Sequence, residues 1–415
     1  MPSLLLWLFI LLVLLPAVFL LLLIKLPKPV PARWEVRLFL LMGMPADQFL
    51  SYIIQNGVDP VFWHRALYAT YISLMAAFFW IPKEEEKYSV EQIEEVPILH
   101  PPIFIIGHYR SGTSLLHELL NNDERLVAPT AFQCYVPRIF LGRERFMTKQ
   151  FAGLQMERPM DSMKVGERRE GGREGGRKGV GLSSPFEDEF AIANLSGLSP
   201  YMGAIFPRQY HYYERFLSLK DCTQAELSAW KKTITFFFKK VLYRQQDKRL
   251  ILKSPSHTAR VLVLRELFPG AKFIHISRDP YEIYLSTQKL HEKLLIQWCL
   301  QRPPYEDKNW IKGNIISHFR RMYDAYFQDV KLLGPDELID IRYADLLANP
   351  MDTLRSIYEK FHIDRFDENM RPAILAYQEA QKEFKVNQHQ KLSEEERAVV
   401  ADVWADYFAY YKYNP

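Results

Sequence analysis

A strand–turn–helix pattern typical of phosphate-binding loops begins at Gly107, in the stretch GHYRSGTS. Gly107 and Gly112 have the spacing of the two glycines in the nucleotide-binding pattern G-x-x-x-x-G-K-[ST], and Ser114 takes the place of its last residue. Thr113 stands where that pattern has lysine, while Arg110 puts a permanent cation inside the loop. Because backbone N–H groups at such a turn and helix start attract anions, the stretch predicts a phosphate site.

The absent lysine distinguishes two kinds of phosphate ligand. A nucleoside triphosphatase uses this lysine to hold the β- and γ-phosphates. An arginine within the loop instead suits a single terminal phosphate, which a guanidinium grips with two hydrogen bonds. We therefore favour a ligand with one terminal phosphate. A turn with an incidental glycine, and a kinase or triphosphatase with a degenerate loop, remain open alternatives.

A second basic position, Arg278, ends an apolar segment, and Ser286 follows eight residues later. Arg278 lies at the carboxyl end of a predicted strand, and Ser286 lies about two turns into the helix that follows. An isolated arginine at such a place more often forms a surface ion pair. Together with the loop, however, the pair predicts a second phosphate site.

Four short apolar segments are predicted to be strands, and a helix-like segment follows each of them. They are PIFIIG (102–107), RLILK (249–253), KFIHIS (272–277) and ELIDI (337–341). This alternation predicts an α/β fold with a mainly parallel sheet flanked by helices. Ligands bind such sheets beyond the carboxyl ends of the strands, which is where Gly107, Lys253 and Arg278 fall.

With these motifs, the chain resembles the sulfotransferases that use 3′-phosphoadenosine 5′-phosphosulfate (PAPS). In that family a loop [KR]-S-G-T-[ST] holds the 5′-phosphosulfate, an R-[ND]-P segment with a later serine holds the 3′-phosphate, and a tyrosine in a later Y-x-[DE] stretch contacts the nucleoside. The matching residues are Arg110, Ser111, Gly112, Thr113 and Ser114, then Arg278-Asp279-Pro280 with Ser286, then Tyr343. The resemblance covers about residues 100–410 and implies a P-loop-like sulfotransferase fold, with PAPS as co-substrate.

Sulfuryl transfer is an in-line displacement at sulfur in which the phosphate of adenosine 3′,5′-bisphosphate leaves. Arg110 and Lys253 are placed to stabilise the bridging oxygen, and Lys253 resembles the lysine with this duty in the family. Fixed cations and N–H dipoles can substitute for a metal here, so we expect that none is required. The alternative interpretation is that Lys253 lies at the edge of the sheet with its ammonium group in water.

The base that accepts the acceptor's proton stays open at this point. His257 follows Lys253 by four residues, whereas the soluble branch of the family has its histidine two residues after the lysine. The run Glu187-Asp188-Glu189 is the other source of a base. Ser184 and Glu187 have the spacing of a capping box, which leaves Asp188 and Glu189 as buried carboxylates with raised pKa values.

The N-terminus is predicted to be a transmembrane anchor, spanning residues 1–26. Its stretch from Ser3 to Ile24 has 22 uncharged residues, which reach about 33 Å as a helix and match a bilayer core of about 30 Å. Basic residues follow it, and they favour a cytoplasmic catalytic domain, with a Golgi-lumen orientation as the alternative: Lys25, Lys28, Arg33 and Arg37. A helical segment and acidic linker, residues 27–99, then lead to the sulfotransferase domain at 100–415.

Several features bound the partners of the chain. A net charge of +4 does not argue for nucleic acid, and three scattered cysteines build no disulfide framework. The aromatic stretch at 199–217 resembles a segment that lines the acceptor, although such aromatics are more often core. The predicted anchor favours a lipid-like or membrane-presented alcohol as acceptor, with a carbohydrate hydroxyl or an amine as alternatives. A charged, glycine-rich insertion at about 166–180 is predicted to be disordered, and a binding protein without catalysis is the third class considered.

Overall fold

The structure is a computed structural model that describes residues 40–150, 181–302, 308–381 and 392–415. The predicted membrane span at residues 3–24 and the insertion at 166–180 lie outside these ranges. Across the described ranges, no helix combines the length and the apolar character needed to cross a bilayer.

Five strands form one sheet in the order β2-β3-β1-β4-β5, and each pairing between neighbours is parallel. The strands are β1 (Ile103–Ile106), β2 (Leu126–Val127), β3 (Arg249–Lys253), β4 (Lys272–Ser277) and β5 (Leu338–Arg342). The four predicted strands and their parallel arrangement are confirmed. The short edge strand β2 was not predicted, because two residues carry no periodic signal.

Both faces of the sheet are covered, as alternating side chains demand. In β1, Phe104 packs into one apolar cluster, whereas its neighbour Ile105 packs into the cluster on the other face. The same division holds in β3, where Leu250 joins the first cluster and Ile251 the second. Two separate cores therefore hold the sheet between layers of helices, which places its loops at the edges.

Helices account for most of the remaining described chain. The α-helices before β3 are α1 (Ala46–Asn56), α2 (Trp63–Met75), α3 (Ile81–Lys87), α4 (Val90–Glu94), α5 (Thr113–Leu120), α6 (Ala131–Tyr135), α7 (Phe140–Gln150), α8 (Glu189–Ser196), α9 (Met202–Ile205), α10 (Tyr210–Glu214) and α11 (Gln224–Leu242). Those after β3 are α12 (Val261–Leu267), α13 (Pro280–Trp298), α14 (Lys308–Asp329), α15 (Tyr343–Ala348), α16 (Pro350–Lys360), α17 (Phe366–Asn369), α18 (Arg371–Gln381), α19 (Glu394–Val403) and α20 (Ala405–Tyr411).

Two local predictions are wrong. Helix α8 begins at Glu189 with Asp188 as its N-cap residue, so the expected capping box of Ser184 and Glu187 does not start this helix. The acidic stretch after residue 82 is also more than a linker, since it contains α3 and α4. Glu84 of α3 is buried, accepts a hydrogen bond from the Gly142 backbone at 2.8 Å and pairs with Lys240 of α11.

Candidate active site

The predicted phosphate loop is a close turn between β1 and α5, and its shape depends on glycine. Gly107 has φ +143°, and a Cβ there would lie 2.7 Å from the Ile276 carbonyl oxygen. Gly112 has φ +105°, and a Cβ there would lie 2.3 Å from the Tyr343 ring. Arg110 between them is also left-handed, with φ 70°. Such backbone favours glycine and brings the loop against β4 and the residue after β5.

Hydrogen bonds from neighbouring residues fix this turn. The Gly107 amide donates to the Thr258 hydroxyl at 2.8 Å, and the Ser111 hydroxyl donates to the His108 carbonyl at 2.8 Å. Helix α5 then starts at Thr113, whose side chain is buried. The amino end of a helix carries a partial positive charge, so the loop is a preformed place for an anion.

The two predicted phosphate segments meet at this loop. Arg278 at the end of β4 donates from Nη1 to the Arg110 carbonyl at 2.8 Å, and Arg110 donates from Nε to the Ser286 hydroxyl at 2.8 Å. The guanidinium of Arg278 also lies 4.6 Å from the centre of the Tyr343 ring and donates to Glu282 at 2.7 Å. Two cations, a hydroxyl and a ring thus come together from three separate parts of the sequence. We name Arg110, Arg278, Ser286 and Tyr343 the two-arginine clamp.

The backbone of Arg278 is held from the C-terminal helix α20. The Arg278 amide donates to the Tyr407 hydroxyl at 3.1 Å, and that hydroxyl donates to the Arg278 carbonyl at 3.2 Å. Burial raises the pKa of Tyr407 well above its usual value, so the phenol keeps its proton. Asp279 caps α13 by accepting from the Glu282 amide at 3.0 Å. Within the described ranges, no group of three or more histidine, cysteine or acidic side chains is arranged to hold a metal.

Lys253 ends β3, and its ammonium meets the first of three consecutive acids. Its Nζ lies 2.5 Å from Glu187 Oε1, and the Tyr201 hydroxyl donates to the other oxygen of the same carboxylate at 2.5 Å. The Lys253 side chain is 3% exposed and that of Glu187 is 20% exposed. Tyr201 belongs to the predicted acceptor segment, most of whose large apolar residues are buried in the core. Glu187 is therefore a carboxylate with one side towards solvent.

The second acid, Asp188, lies 2.5 Å from Nε2 of His257, and both side chains are fully buried. Burial raises the pKa of Asp188, but the attraction and hydrogen bond of His257 outweigh it, so the net pKa is below the usual value. The His257 ring packs edge-on against Phe104 of the core, with centroids 5.5 Å apart. This pair is therefore a hydrogen-bonded carboxylate and imidazole inside the core.

The third acid, Glu189, forms a two-pronged ion pair with Arg260, at 2.6 and 3.1 Å, and both side chains are fully buried. Arg260 also donates to the carbonyls of Phe216 and Leu217 and lies over the ring of Trp230. Glu189 is thus bound through both oxygens inside the core. We name these three pairs the acidic ladder and call each pair a rung. The rungs are Glu187 with Lys253, Asp188 with His257, and Glu189 with Arg260.

The structure gives three residues roles that the sequence did not predict. Glu187, which was assigned to a helix cap, lies beside Lys253, Thr258 lies under the loop, and Tyr407 lies behind Arg278. Each acts through a partner far along the chain, 66, 151 and 129 residues away respectively. No local pattern reports contacts of this kind. Glu187 differs from its two neighbours, Asp188 and Glu189, because their side chains are fully buried and its own is not. This difference can be seen only in the folded structure.

Comparisons with known proteins identify the family of the chain. The model of the sulfotransferase family matches residues 101–179 and 184–368. The omega-hydroxy-beta-dihydromenaquinone-9 sulfotransferases Stf3 of Mycobacterium bovis and Mycobacterium tuberculosis are each 33% identical over 386 residues, covering 92% of this chain and 94% of theirs.

Among solved structures, two mycobacterial proteins share the fold. The sulfotransferase STF1 of Mycobacterium tuberculosis H37Rv superimposes with a TM-score of 0.60 at 17% identity, over 88% of this chain and 94% of that one. The sulfotransferase STF9 of Mycobacterium avium gives a TM-score of 0.62 at 16% identity, over 89% and 96%. The family model and the Stf3 relatives together cover the phosphate loop, the two-arginine clamp and the acidic ladder, and the chain belongs to the sulfotransferase family.

Proposed function

We propose that this chain transfers a sulfuryl group from PAPS to the hydroxyl of a lipid-like alcohol. The observation that carries the proposal is the contact between the two predicted phosphate segments, in which Arg278 donates to the Arg110 carbonyl and Arg110 donates to Ser286. A nucleotide with phosphates at both 3′ and 5′ positions requires two anion sites at a fixed separation. The two-arginine clamp supplies cations for both on one edge of the sheet.

In this proposal the loop from Arg110 to Ser114 holds the 5′-phosphosulfate through backbone amides, hydroxyls and the guanidinium. Arg278 and Ser286 hold the 3′-phosphate, and Tyr343 lies against the nucleoside. Lys253, next to the loop on β3, stabilises the charge that develops on the bridging oxygen as the sulfur–oxygen bond breaks. These fixed cations perform the charge stabilisation that a metal performs in phosphoryl transfer.

For the base we propose Glu187. A base must reach the acceptor hydroxyl as the new oxygen–sulfur bond forms and must take up its proton. Among the acids of the ladder, Glu187 is 20% exposed and adjoins Lys253, whereas Asp188 and Glu189 are fully buried in ion pairs. His257 is equally buried, with its Nε2 bound to Asp188. Burial of these three groups favours Glu187 over the candidates His257, Asp188 and Glu189.

The acceptor class is supported by the Stf3 relatives, whose name gives an omega-hydroxylated menaquinone derivative as their substrate. For this chain we propose a related acceptor, an apolar molecule with a terminal hydroxyl. The uncharged stretch at residues 3–24 would hold the enzyme at the membrane where such molecules reside, with the catalytic domain on the cytoplasmic side favoured by the basic residues that follow.

The donor is tested by titration calorimetry of the full chain with adenosine 3′,5′-bisphosphate and with ATP plus magnesium. We expect the bisphosphate to bind more tightly, and Arg278→Ala to remove the preference for it over the analogue with a free 3′-hydroxyl. Tighter ATP binding that chelation abolishes would support the rival kinase or triphosphatase. Bisphosphate binding without any sulfuryl transfer would support the inactive binding protein.

The base is tested by turnover with radiolabelled PAPS and a terminal alcohol. We expect Glu187→Gln to lower kcat roughly 100- to 10,000-fold, because a general base contributes about that factor. Asp188→Asn and Glu189→Gln serve as matched controls on the same run of acids, with folding checked by circular dichroism. If Glu187→Gln keeps wild-type turnover while a folded Asp188→Asn loses it, the proton acceptor is the pair of Asp188 and His257.

A further inference from the structure

Helix α2 continues without interruption through a π-helical turn at Ala76–Trp80, and its exposed surface carries no formal charge. From residue 63 to residue 80, Arg65 is the one lysine, arginine or acidic residue, and it is 2% exposed. The buried side chains of the helix beyond its first turn are small, namely Ala66, Ala69 and Ser73, while His64 and Arg65 are buried at its start. Large apolar residues of helix α2 lie on the opposite side.

That opposite side is apolar and faces outward. Trp63, Leu67, Phe78 and Phe79 are 46%, 48%, 70% and 41% exposed. Residues 63, 67 and 78 are separated by four and eleven positions, about one and three helical turns, so they share one face. A helix on the surface of a protein in water has the reverse pattern, with apolar residues inward and charges outward.

Helix α1 also carries exposed apolar side chains. Leu50 and Ile54 are one turn apart on α1 and are 41% and 82% exposed, and α1 packs against α2. Six of the fifteen exposed large apolar residues in the described ranges thus lie between positions 50 and 79. We name this set the apolar face: Leu50, Ile54, Trp63, Leu67, Phe78 and Phe79.

The apolar face belongs to the folded domain. Arg65 donates to the Cys299 carbonyl at 3.1 Å, at the end of α13, and its guanidinium lies over the Phe62 ring. On α1, the Tyr52 hydroxyl donates to the Ser196 carbonyl at 3.1 Å, at the end of α8. These contacts fix both helices, so the direction in which the face points is set by the domain.

We propose that the apolar face rests in the lipid–water boundary of a bilayer. Contiguous exposed apolar surface on one side of a domain marks an interaction site, and tryptophan and phenylalanine on an uncharged helix face suit the headgroup region. The sequence before this face supports a lipid partner. Its 22 uncharged residues from Ser3 to Ile24, long enough to span a bilayer as a helix, end sixteen positions before Leu40, the first residue that the structure describes. This inference goes beyond sulfuryl transfer and does not depend on it.

The test places an environment-sensitive fluorophore on single cysteines in the full chain, reconstituted into vesicles of phosphatidylcholine and phosphatidylglycerol. Cys222→Ser removes the half-buried native thiol, while Cys134 and Cys299 are buried. The label is introduced at Leu67→Cys or at Phe78→Cys. The matched control is Leu375→Cys, because Leu375 is 52% exposed. Its helix, α18, packs through Ile374 and Tyr377 into the apolar cluster on the opposite face of the sheet.

We expect brominated acyl chains to quench the labels at positions 67 and 78 several-fold more than the label at 375, and aqueous iodide to show the reverse order. Equal quenching of all three labels by iodide would overturn the proposal. Labels shielded from iodide but not quenched by brominated lipid would also overturn it. In that case protein, from residues 3–24 or a second copy of the chain, covers the face. Circular dichroism checks that each labelled variant is folded.

Discussion

The two sides of the candidate active site are held together by different kinds of contact. On the donor side, several of the hydrogen bonds that fix the loop and Arg278 involve the backbone. The Gly107 amide donates to Thr258, Arg278 donates to the Arg110 carbonyl, and the Tyr407 hydroxyl bonds both the amide and the carbonyl of Arg278. On the acceptor side, the acidic ladder is held by ion pairs between side chains.

The ladder also changes character along three consecutive residues. Glu187 keeps 20% of its side chain exposed, whereas Asp188 and Glu189 keep none. An ion pair partly open to solvent can exchange a partner for a substrate group at modest free-energy cost, whereas a fully buried pair cannot, because one charge would stay unpaired in the core. The proposed donor side is thus fixed largely through the backbone, and the acidic ladder presents one partly exposed carboxylate, the proposed base, beside two buried ones.

The largest expected effect comes from breaking the fully buried pair of Glu189 and Arg260. Arg260→Met leaves the Glu189 carboxylate uncompensated in the core, and we expect a loss of about 3–5 kcal/mol in the free energy of unfolding. The double variant with Glu189→Met should recover part of this loss, since an apolar pair replaces the ionic one. Urea unfolding followed by tryptophan fluorescence measures both.

An exposed pair provides the control for that measurement. Lys231 pairs with Glu266, which is 70% exposed, and surface pairs contribute about 0–1 kcal/mol. Lys231→Met should therefore have a small effect. If Arg260→Met costs no more than Lys231→Met, the third rung does not stabilise the core, and the contrast between Glu187 and Glu189 loses its basis.

A smaller effect is expected on the donor side. Tyr407→Phe removes the hydroxyl that bonds both the amide and the carbonyl of Arg278, and each such hydrogen bond contributes about 1 kcal/mol. We expect the Kd for adenosine 3′,5′-bisphosphate to rise about tenfold, since about 1.4 kcal/mol corresponds to that factor. Titration calorimetry measures it. Tyr410→Phe, an exposed tyrosine on the same helix, should leave the Kd unchanged.

The sequence predicts the donor side better than the acceptor side, for a physical reason. The strand β1, the glycines of the loop and the start of α5 lie within about twenty residues, so local periodicity and spacing predict them. The strand ends then bring Arg278 beside Arg110, because parallel neighbouring strands end at one edge. The meeting of the two motifs follows from the sheet order.

The acidic ladder has no comparable local signal. Glu187 and Lys253 are 66 residues apart, and Glu189 and Arg260 are 71 apart, so the burial that separates their roles depends on tertiary packing. The capping box predicted from Ser184 and Glu187 was wrong for the same reason. Glu187 instead forms an ion pair with Lys253 and accepts a hydrogen bond from Tyr201, and the local sequence shows neither contact. Glu84, in the stretch predicted to be an acidic linker, is another acid whose partner, Lys240, is remote in the sequence.

The smallest expected effect tests the middle rung of the ladder through pH. The pKa of Asp188 in the fold is below its usual value, because the charge and hydrogen bond of His257 outweigh burial. Its contribution to stability is therefore fully present above the unfolded pKa of about 3.9, and it is lost as pH falls through the folded pKa. We expect the free energy of unfolding of the wild type to fall more steeply between about pH 5 and pH 3 than that of Asp188→Asn. The two slopes should differ by at most the value for one bound proton, about 1.4 kcal/mol per pH unit.

Comparing slopes of the free energy of unfolding against pH separates this effect from the general cost of the substitution. Asp221→Asn, which replaces an exposed carboxylate, is the control and should keep the wild-type slope. A wild-type slope in Asp188→Asn would mean that Asp188 binds protons alike in the folded and unfolded chains, so its carboxylate would be available as a proton acceptor. A reduced slope means that the contacts of Asp188 with His257 lower the pKa of Asp188 in the fold, and Glu187 then remains the proposed base.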